Sequence, residues 1–276
     1  MGQSTNIFQC EASFCYIFYL YRKYRIMKDN FSAQAKTYAA YRPNYSQEFI
    51  DHIASFVKDK EIALDVATGN GQVAVKLAKH FNTVYATDIS QKQLDNAIPA
   101  DNIIYKMERA EQTSFGDKMF DLITVAQAIH WFDFEAFYKE VYRILKPDGL
   151  FVVMGYGLFS TNPESDRLIH HLHENILGGY WDPERRYVDE NYQTIPFPFE
   201  EMEGRQFYET FTWTFEHLLG YIESWSAVQH YIRKNGSDPV NLIRDKLKES
   251  WAKSDGTAVF PLLLRLGKLN DLKFKI

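Results

Sequence analysis

The 276-residue sequence has only two cysteines, Cys10 and Cys15, and both lie ahead of the segment that carries its motifs. They support neither a disulfide framework nor a zinc site, and a reducing, cytoplasmic setting is the natural expectation. Basic residues are not in excess, since the net charge is −5. That argues against nucleic acid as the main partner, which calls for a basic face. No apolar run approaches the ~20 residues that span a bilayer. The nearest candidate, residues 14–21, is followed by Arg22, Lys23 and Arg25. A secretory signal has the reverse order, basic residues first. Asn6 stands where myristoylation prefers Ser or Thr, so no membrane partner is expected. Residues 1–26 therefore read as a poorly ordered extension, with a domain over 27–276. No repeat or low-complexity tract interrupts it.

With 46% hydrophobic residues the chain can bury a sizeable core. The most informative stretch is Ala63-Leu64-Asp65-Val66-Ala67-Thr68-Gly69-Asn70-Gly71-Gln72, where an apolar run carrying an acid meets a Gly-x-Gly turn. Glycines let a backbone turn tightly off a strand and approach a ligand. Glu61 to Ala67 is predicted as that strand. A helix should begin near Gln72, where Val73, Val75, Leu77 and Ala78 supply an apolar face, and its first amides are free for a ligand. Gly69-x-Gly71-x-x-Ala74 also satisfies the relaxed dinucleotide fingerprint. Asp65 argues against that reading, because a carboxylate there repels a pyrophosphate and favours a cofactor that is cationic at the turn.

The next strand, Thr83 to Asp88, brings a second acid to the same edge, where open α/β sheets bind ligands. Asp88 lies 17 residues beyond Gly71, near the ~20-residue spacing of a ribose-binding acid. A carboxylate can accept both hydroxyls of an unphosphorylated ribose. Each acid also has a structural reading, Asp65 as a turn former and Asp88 in the cap region of a helix starting near Ser90. The ordered pair favours a nucleoside-type cofactor.

These segments resemble a class I S-adenosylmethionine-dependent methyltransferase of the small-molecule subgroup that includes trans-aconitate methyltransferase. The matching pieces run from Phe31 to about Leu266: Phe31, Tyr38, Tyr41, Arg42, Pro43 and Tyr45; the glycine loop; Asp88; Ala110-Glu111; Ala126-Gln127-Ala128-Ile129-His130-Trp131-Phe132-Asp133; and Leu145-Lys146-Pro147-Asp148-Gly149. The first and fourth pieces mark the subgroup, the others the superfamily. No Asn-Pro-Pro-Tyr or Pro-Cys string occurs. Within this family that argues against base amines and pyrimidine C5 as targets.

Strands and helices alternate along the chain, as in a Rossmann-like doubly wound α/β fold. Further strands are predicted at Asn102–Lys106, Met119–Val125, Leu150–Met154, Arg205–Phe215 and Thr257–Leu266. A helix is predicted over Phe134–Leu145, stopped by Lys146-Pro147-Asp148-Gly149. The resemblance implies seven strands in the order 3-2-1-4-5-7-6, the last antiparallel, with a lid inserted over 155–204.

It also implies site roles. Asp65, Gly69, Gly71, Asp88, Ala110, Glu111 and Gln127 are the expected cofactor contacts. Arg109 stands where relatives often have an acidic or small polar residue, and the adenine role of Glu111 competes with that of a solvated charged loop. His130 is the candidate base, or else a buried histidine ordering its loop against Trp131. Tyr38, Arg42, Trp131, Trp181, Arg185 and Arg186 are the candidate acceptor contacts, with ion pairs inside the lid as the alternative for its arginines. His170-His171-x-His173-Glu174 suggests a metal, but no further ligand cluster completes it and none is expected. The implied reaction is in-line methyl transfer to a carboxylate or hydroxyl of a small molecule. A silent S-adenosylmethionine-binding protein and a nicotinamide-dependent oxidoreductase stay open as alternatives. Oligomeric state is not assigned.

Overall fold

The computed structural model describes residues 41–270. Its sheet comprises β1 Ile62–Val66, β2 Thr83–Asp88, β3 Ile103–Met107, β4 Phe120–Ala126, β5 Leu145–Tyr156, β6 Glu200–Met202, β7 Tyr208–Thr212 and β8 Thr257–Lys268. The order is β3-β2-β1-β4-β5-β8-β6, with β7 also on β8. β1 to β5 pair in parallel. β8 runs antiparallel to β5, β6 and β7. This is the expected doubly wound sheet with its antiparallel last strand. The sixth position differs in detail. β7 is shorter than the predicted Arg205–Phe215, and β6 shares the β8 edge with it, β6 pairing at Leu266–Lys268 and β7 at Thr257–Pro261. Twelve residues of β8 offer more edge than one short strand covers.

β4 is buried from Phe120 to Val125, as a strand with helices on both faces must be. Alternation along the strands divides the interior. Leu122, Leu150, Val152 and Met154 enter one cluster, and Ile123, Val125, Phe151 and Val153 the other. The first face is covered by α1 Gln47–Ser55 and α2 Gln72–Leu77, and by three helices after β7: α7 Phe215–Glu223, α8 Ser226–Asn235 and α9 Arg244–Trp251. The second is covered by α4 Phe134–Ile144, through Phe137, Tyr138, Val141 and Ile144. Each such side chain contributes roughly 1.5–3 kcal/mol on burial.

The sequence also explains the ends of α4. The Asp133 carboxylate accepts from the Ala136 amide at 3.2 Å, an N-cap. Past the C-terminus, where β5 begins directly at Leu145, Lys146 pairs with buried Asp121 at 2.6 Å, tying the start of β5 to the start of β4. The remaining helices are α3 Gln91–Leu94 after β2, and α5 Pro163–His170 and α6 Arg186–Asp189 between β5 and β6. Among the described residues no helix is long and apolar enough to cross a membrane.

Candidate active site

The carboxyl ends of β1, β2, β4 and β5 carry the candidate residues. After β1 the backbone enters the left-handed region at Ala67 (φ 54°), Gly69 (58°) and Gly71 (85°). Only glycine does so without a steric cost of roughly 1–2 kcal/mol. Gly71 is the N-cap of α2, and a Cβ there would lie 2.1 Å from the Tyr105 hydroxyl oxygen. That hydroxyl is fixed by donating to the Ile98 carbonyl at 2.6 Å. At Gly69 a Cβ would meet nothing within 4 Å, so the backbone there borders open space.

Asp65 is 1% exposed. Its carboxylate accepts from the Thr68 hydroxyl at 2.5 Å and the Thr124 hydroxyl at 2.8 Å. Burial pushes its pKa up to about 6, with the charge of Asp88 adding to the rise. The two threonine donors and the Ala74 amide oppose it. Asp88 accepts from the Gly69 amide at 2.9 Å and the Ser90 amide at 2.8 Å. The predicted acid pair and glycine turn are thus one hydrogen-bonded unit.

At the exit of β4 two candidate side chains are engaged within the protein itself. The Gln127 amide is committed to backbone: its Oε1 accepts from the Tyr156 amide at 2.9 Å and its Nε2 donates to the Tyr156 carbonyl at 3.3 Å. It fixes the end of β5. His130, at 6% exposed, has Nδ1 3.2 Å from the Tyr192 hydroxyl and its ring 4.8 Å from Trp131. Burial first, and the Arg185 charge second, lower its pKa to about 3. A histidine so shifted is a poor general base near neutrality. The reading in which it orders the loop against Trp131 is the one the geometry favours. Tyr192 is in turn held by buried Arg265, which donates to the carbonyls of Tyr192 at 3.0 Å and Ile195 at 3.1 Å.

Beyond β5 lies a second group. Arg42 donates to the Tyr156 hydroxyl and the Ser224 carbonyl, each at 3.3 Å, and its guanidinium is 5.5 Å from the centre of the Tyr221 ring. Arg185 lies 4.8 Å over the Trp181 ring, and its Nε donates to Asp189 at 2.9 Å. Trp181 neighbours His173 at 4.7 Å and Trp225 at 5.7 Å. Arg186 does not join them. It is exposed, lying on Tyr187 at 4.6 Å.

Of the other candidates, Glu111 accepts from the Asp133 amide at 3.3 Å and has Arg109 at 3.9 Å. Ala110 packs against the second core cluster. Tyr38 lies outside the described residues, as do Cys10, Cys15 and the extension over 1–26. His170 lies 3.4 Å from Glu174, while His173 is buried. Among the described residues no three His, Cys, Asp or Glu groups converge as metal ligands. Sequence reasoning missed Thr68, Thr124, Tyr156, Tyr192, Tyr221 and Trp225. Tyr156 was findable by applying the strand-end rule to β5, and Tyr221 and Trp225 by their four-residue helical spacing.

The methyltransferase domain family profile matches residues 64–153, from within β1 to within β5. A Dictyostelium discoideum protein that bears the name of a methyltransferase is 34% identical over 249 residues, 87% of this chain and 95% of its own length. This chain belongs to the methyltransferase family. A type II methyltransferase structure from Anaeromyxobacter dehalogenans superposes on it with a TM-score of 0.77 and 32% identity, covering 82% of this chain and 97% of its own. An uncharacterised methyltransferase of Mycobacterium tuberculosis is 29% identical over 185 residues, 66% of this chain and 70% of its own. The match over 64–153 takes in Asp65, the glycine turn, Asp88 and the His130 loop of this methyltransferase. The Arg42, Trp181, Arg185, Tyr221 and Trp225 group lies outside it.

Proposed function

We propose that this methyltransferase binds S-adenosylmethionine at the Gly69–Gly71 turn and passes its methyl group in-line to a small-molecule acceptor, consistent with the small-molecule subgroup it resembles. The observation that carries this reading is the Asp65, Gly69 and Asp88 unit, with a buried acid behind a turn whose Gly69 borders open space. The residues fit the group: a cationic ligand gains from the buried acid, whereas a pyrophosphate is repelled by it. S-adenosylmethionine supplies, when bound, a methyl group on a positively charged sulfur.

The chain's own contribution is placement. Asp88 orients the turn through the Gly69 amide and stands where a ribose diol would be accepted. Asp65 supplies negative charge in a dry setting, where it acts more strongly than in water. The amide of Gln127 locks the end of β5, so Tyr156 and Arg42 keep a fixed position relative to the turn. Holding reactants in near-attack geometry is worth up to ~7–11 kcal/mol, so an anionic acceptor needs no base. His130, neutral in its buried site, shapes the loop and takes up a second proton only well below neutrality.

Calorimetric titration with S-adenosylmethionine, S-adenosylhomocysteine and NAD tests the proposal. Micromolar binding of the first two without NAD binding is expected. NAD binding alone would instead establish the oxidoreductase reading. Release of S-adenosylhomocysteine in an acceptor screen then distinguishes an enzyme from a silent binder.

A further inference from the structure

Resting on that reading, we infer that the acceptor is a small organic anion with a flat apolar body, its charged group held by Arg185 and its body by Trp181 and Trp225 beside His173. Arg185 is oriented from two sides, by the Trp181 face at 4.8 Å and by Nε donation to Asp189 at 2.9 Å. Neither of its Nη groups hydrogen-bonds a described residue. A guanidinium fixed at Nε, with its outer fork available, matches a carboxylate or phosphate bidentately. Asp189 has 40% of its side chain exposed, so solvent weakens its hold on that charge.

His173 is the second, independent observation. It is 9% exposed, and its Nε2 is buried with no hydrogen-bond partner among the described residues. Its ring lies 4.7 Å from Trp181 and 5.6 Å, edge-on, from Trp225. A buried unpaired polar atom is costly, which makes it a place where a ligand's polar group gains most. Burial, then the Arg185 charge, lower the His173 pKa to about 4, so the ring meets a ligand neutral.

The group is also in the right place. The helical turn carrying Arg185, Pro183–Arg185, packs on the turn carrying His130, Ile129–Trp131, at the exit of β4. Arg42 adds positive charge on the Tyr221 side. Of the acids nearby, Asp189 pairs with Arg185, Glu174 with His170 at 3.4 Å, and buried Asp182 lies 3.9 Å from His230.

The test uses the full chain saturated with S-adenosylhomocysteine and probes that share a phenyl body: phenylacetate, phenyl phosphate, 2-phenylethanol and 2-phenylethylamine. By calorimetry, at least one anion should bind roughly tenfold or more tightly than the alcohol and the amine, the scale of a charge-assisted hydrogen bond. Arg185→Gln should remove that preference, Arg186→Gln should leave it, and His173→Phe should weaken anion binding several-fold. Preference for phenylacetate marks a carboxylate acceptor, and preference for phenyl phosphate a phosphorylated one. S-adenosylhomocysteine binding is measured first on every variant, as evidence of folding. Its absence in the wild type defeats the proposed function whatever the probes do. Its presence with no anion preference, with no probe bound at millimolar concentration, or with the preference intact in Arg185→Gln overturns the acceptor inference alone.

Discussion

Replacing Asp65 by Asn should raise the melting temperature of the ligand-free protein near neutral pH while abolishing cofactor binding. The carboxyl is held at a pKa of about 6 against 3.8 unperturbed. A shift of roughly two units at about 1.4 kcal/mol each means the ionised group costs the folded state about 3 kcal/mol above pH 6. Asparagine removes that cost. It also accepts fewer hydrogen bonds than a carboxylate, and the donors from Thr68, Thr124 and Ala74 must share one oxygen or turn around. Losing one such bond costs about 1 kcal/mol, so the net gain near pH 7.5 is ~1–2 kcal/mol, or about 2–6 °C in Tm.

The sign fixes the pH dependence. The folded-state pKa lies above the unfolded one, so the folded protein binds more protons between them. Asp65 therefore imposes no penalty below about pH 4, and the penalty is complete only above pH 6. The advantage of Asp65→Asn should shrink toward zero by about pH 5. Thermal melts at the two pH values and calorimetry with S-adenosylmethionine measure both halves of the claim. A lower Tm for Asp65→Asn near neutrality, or a difference that does not change with pH, would refute the burial argument. Cofactor binding as tight as in the wild type would refute the functional one.

Two further outcomes follow from the site. Gly71→Ala places a Cβ 2.1 Å from the Tyr105 hydroxyl oxygen at φ 85°, so it should destabilise by roughly 1–3 kcal/mol. Tyr105→Phe should recover part of that loss, as a positive coupling in a double-mutant cycle read by urea unfolding, and strict additivity would show that the clash is not the cause. His130 has a pKa lowered to about 3 from 6.5, so its contribution to stability is complete above pH 6.5 and is lost as pH falls toward 3. His130→Phe should flatten the acid side of the stability profile, and for any accepted substrate the wild-type rate should show no inflection near 6.5; a rate step there that vanishes in the variant would restore His130 as a base.

The half of the candidate site proposed to hold the cofactor was legible because its residues are local. Asp65, Gly69, Gly71 and Asp88 lie within 24 residues, and each meets the others through strand ends or backbone amides. The first four strands were nearly as readable, β2 beginning and ending where its sequence says, whereas β5 starts at Leu145 instead of Leu150 and β7 is shorter than Arg205–Phe215. What the sequence does not show is direction. Gln127 occupies the predicted edge, but its positive φ and its bonds to Tyr156 turn the amide toward β5. Burial sets the proton affinity of His130, and burial by Tyr192 and the Arg185 turn comes from segments far along the chain. The three helices after β7 were not assigned from the sequence; α8 and α9 bury only short apolar sets, Ala227 and Val228 in α8 and Leu247 and Trp251 in α9, too few to mark a period.

In the proposed acceptor group a single residue step decides which arginine takes part. Arg185 and Asp189 are four residues apart, so the helical turns through Pro183–Asp189 put them on one face, and Trp181, just before the extended Asp182, reaches the same guanidinium from outside the helix. Arg186 is rotated by about 100° from that face and must look elsewhere. The structure has this arrangement: Arg185 bridges the Trp181 ring and the Asp189 carboxylate, while Arg186 lies exposed on Tyr187. The spacing was present in the sequence, and pairing the two arginines as equivalent ligands overlooked it. Arg42, Tyr156, His173, Tyr221 and Trp225 could not be added in the same way, because each comes from a different element and only the folded sheet brings them near. A cofactor held by a contiguous loop leaves a sequence signature, whereas an acceptor held by a tertiary assembly leaves only its helical periodicities. The discriminating substitution is therefore Arg185 against Arg186, adjacent residues of the same type for which the fold predicts opposite results.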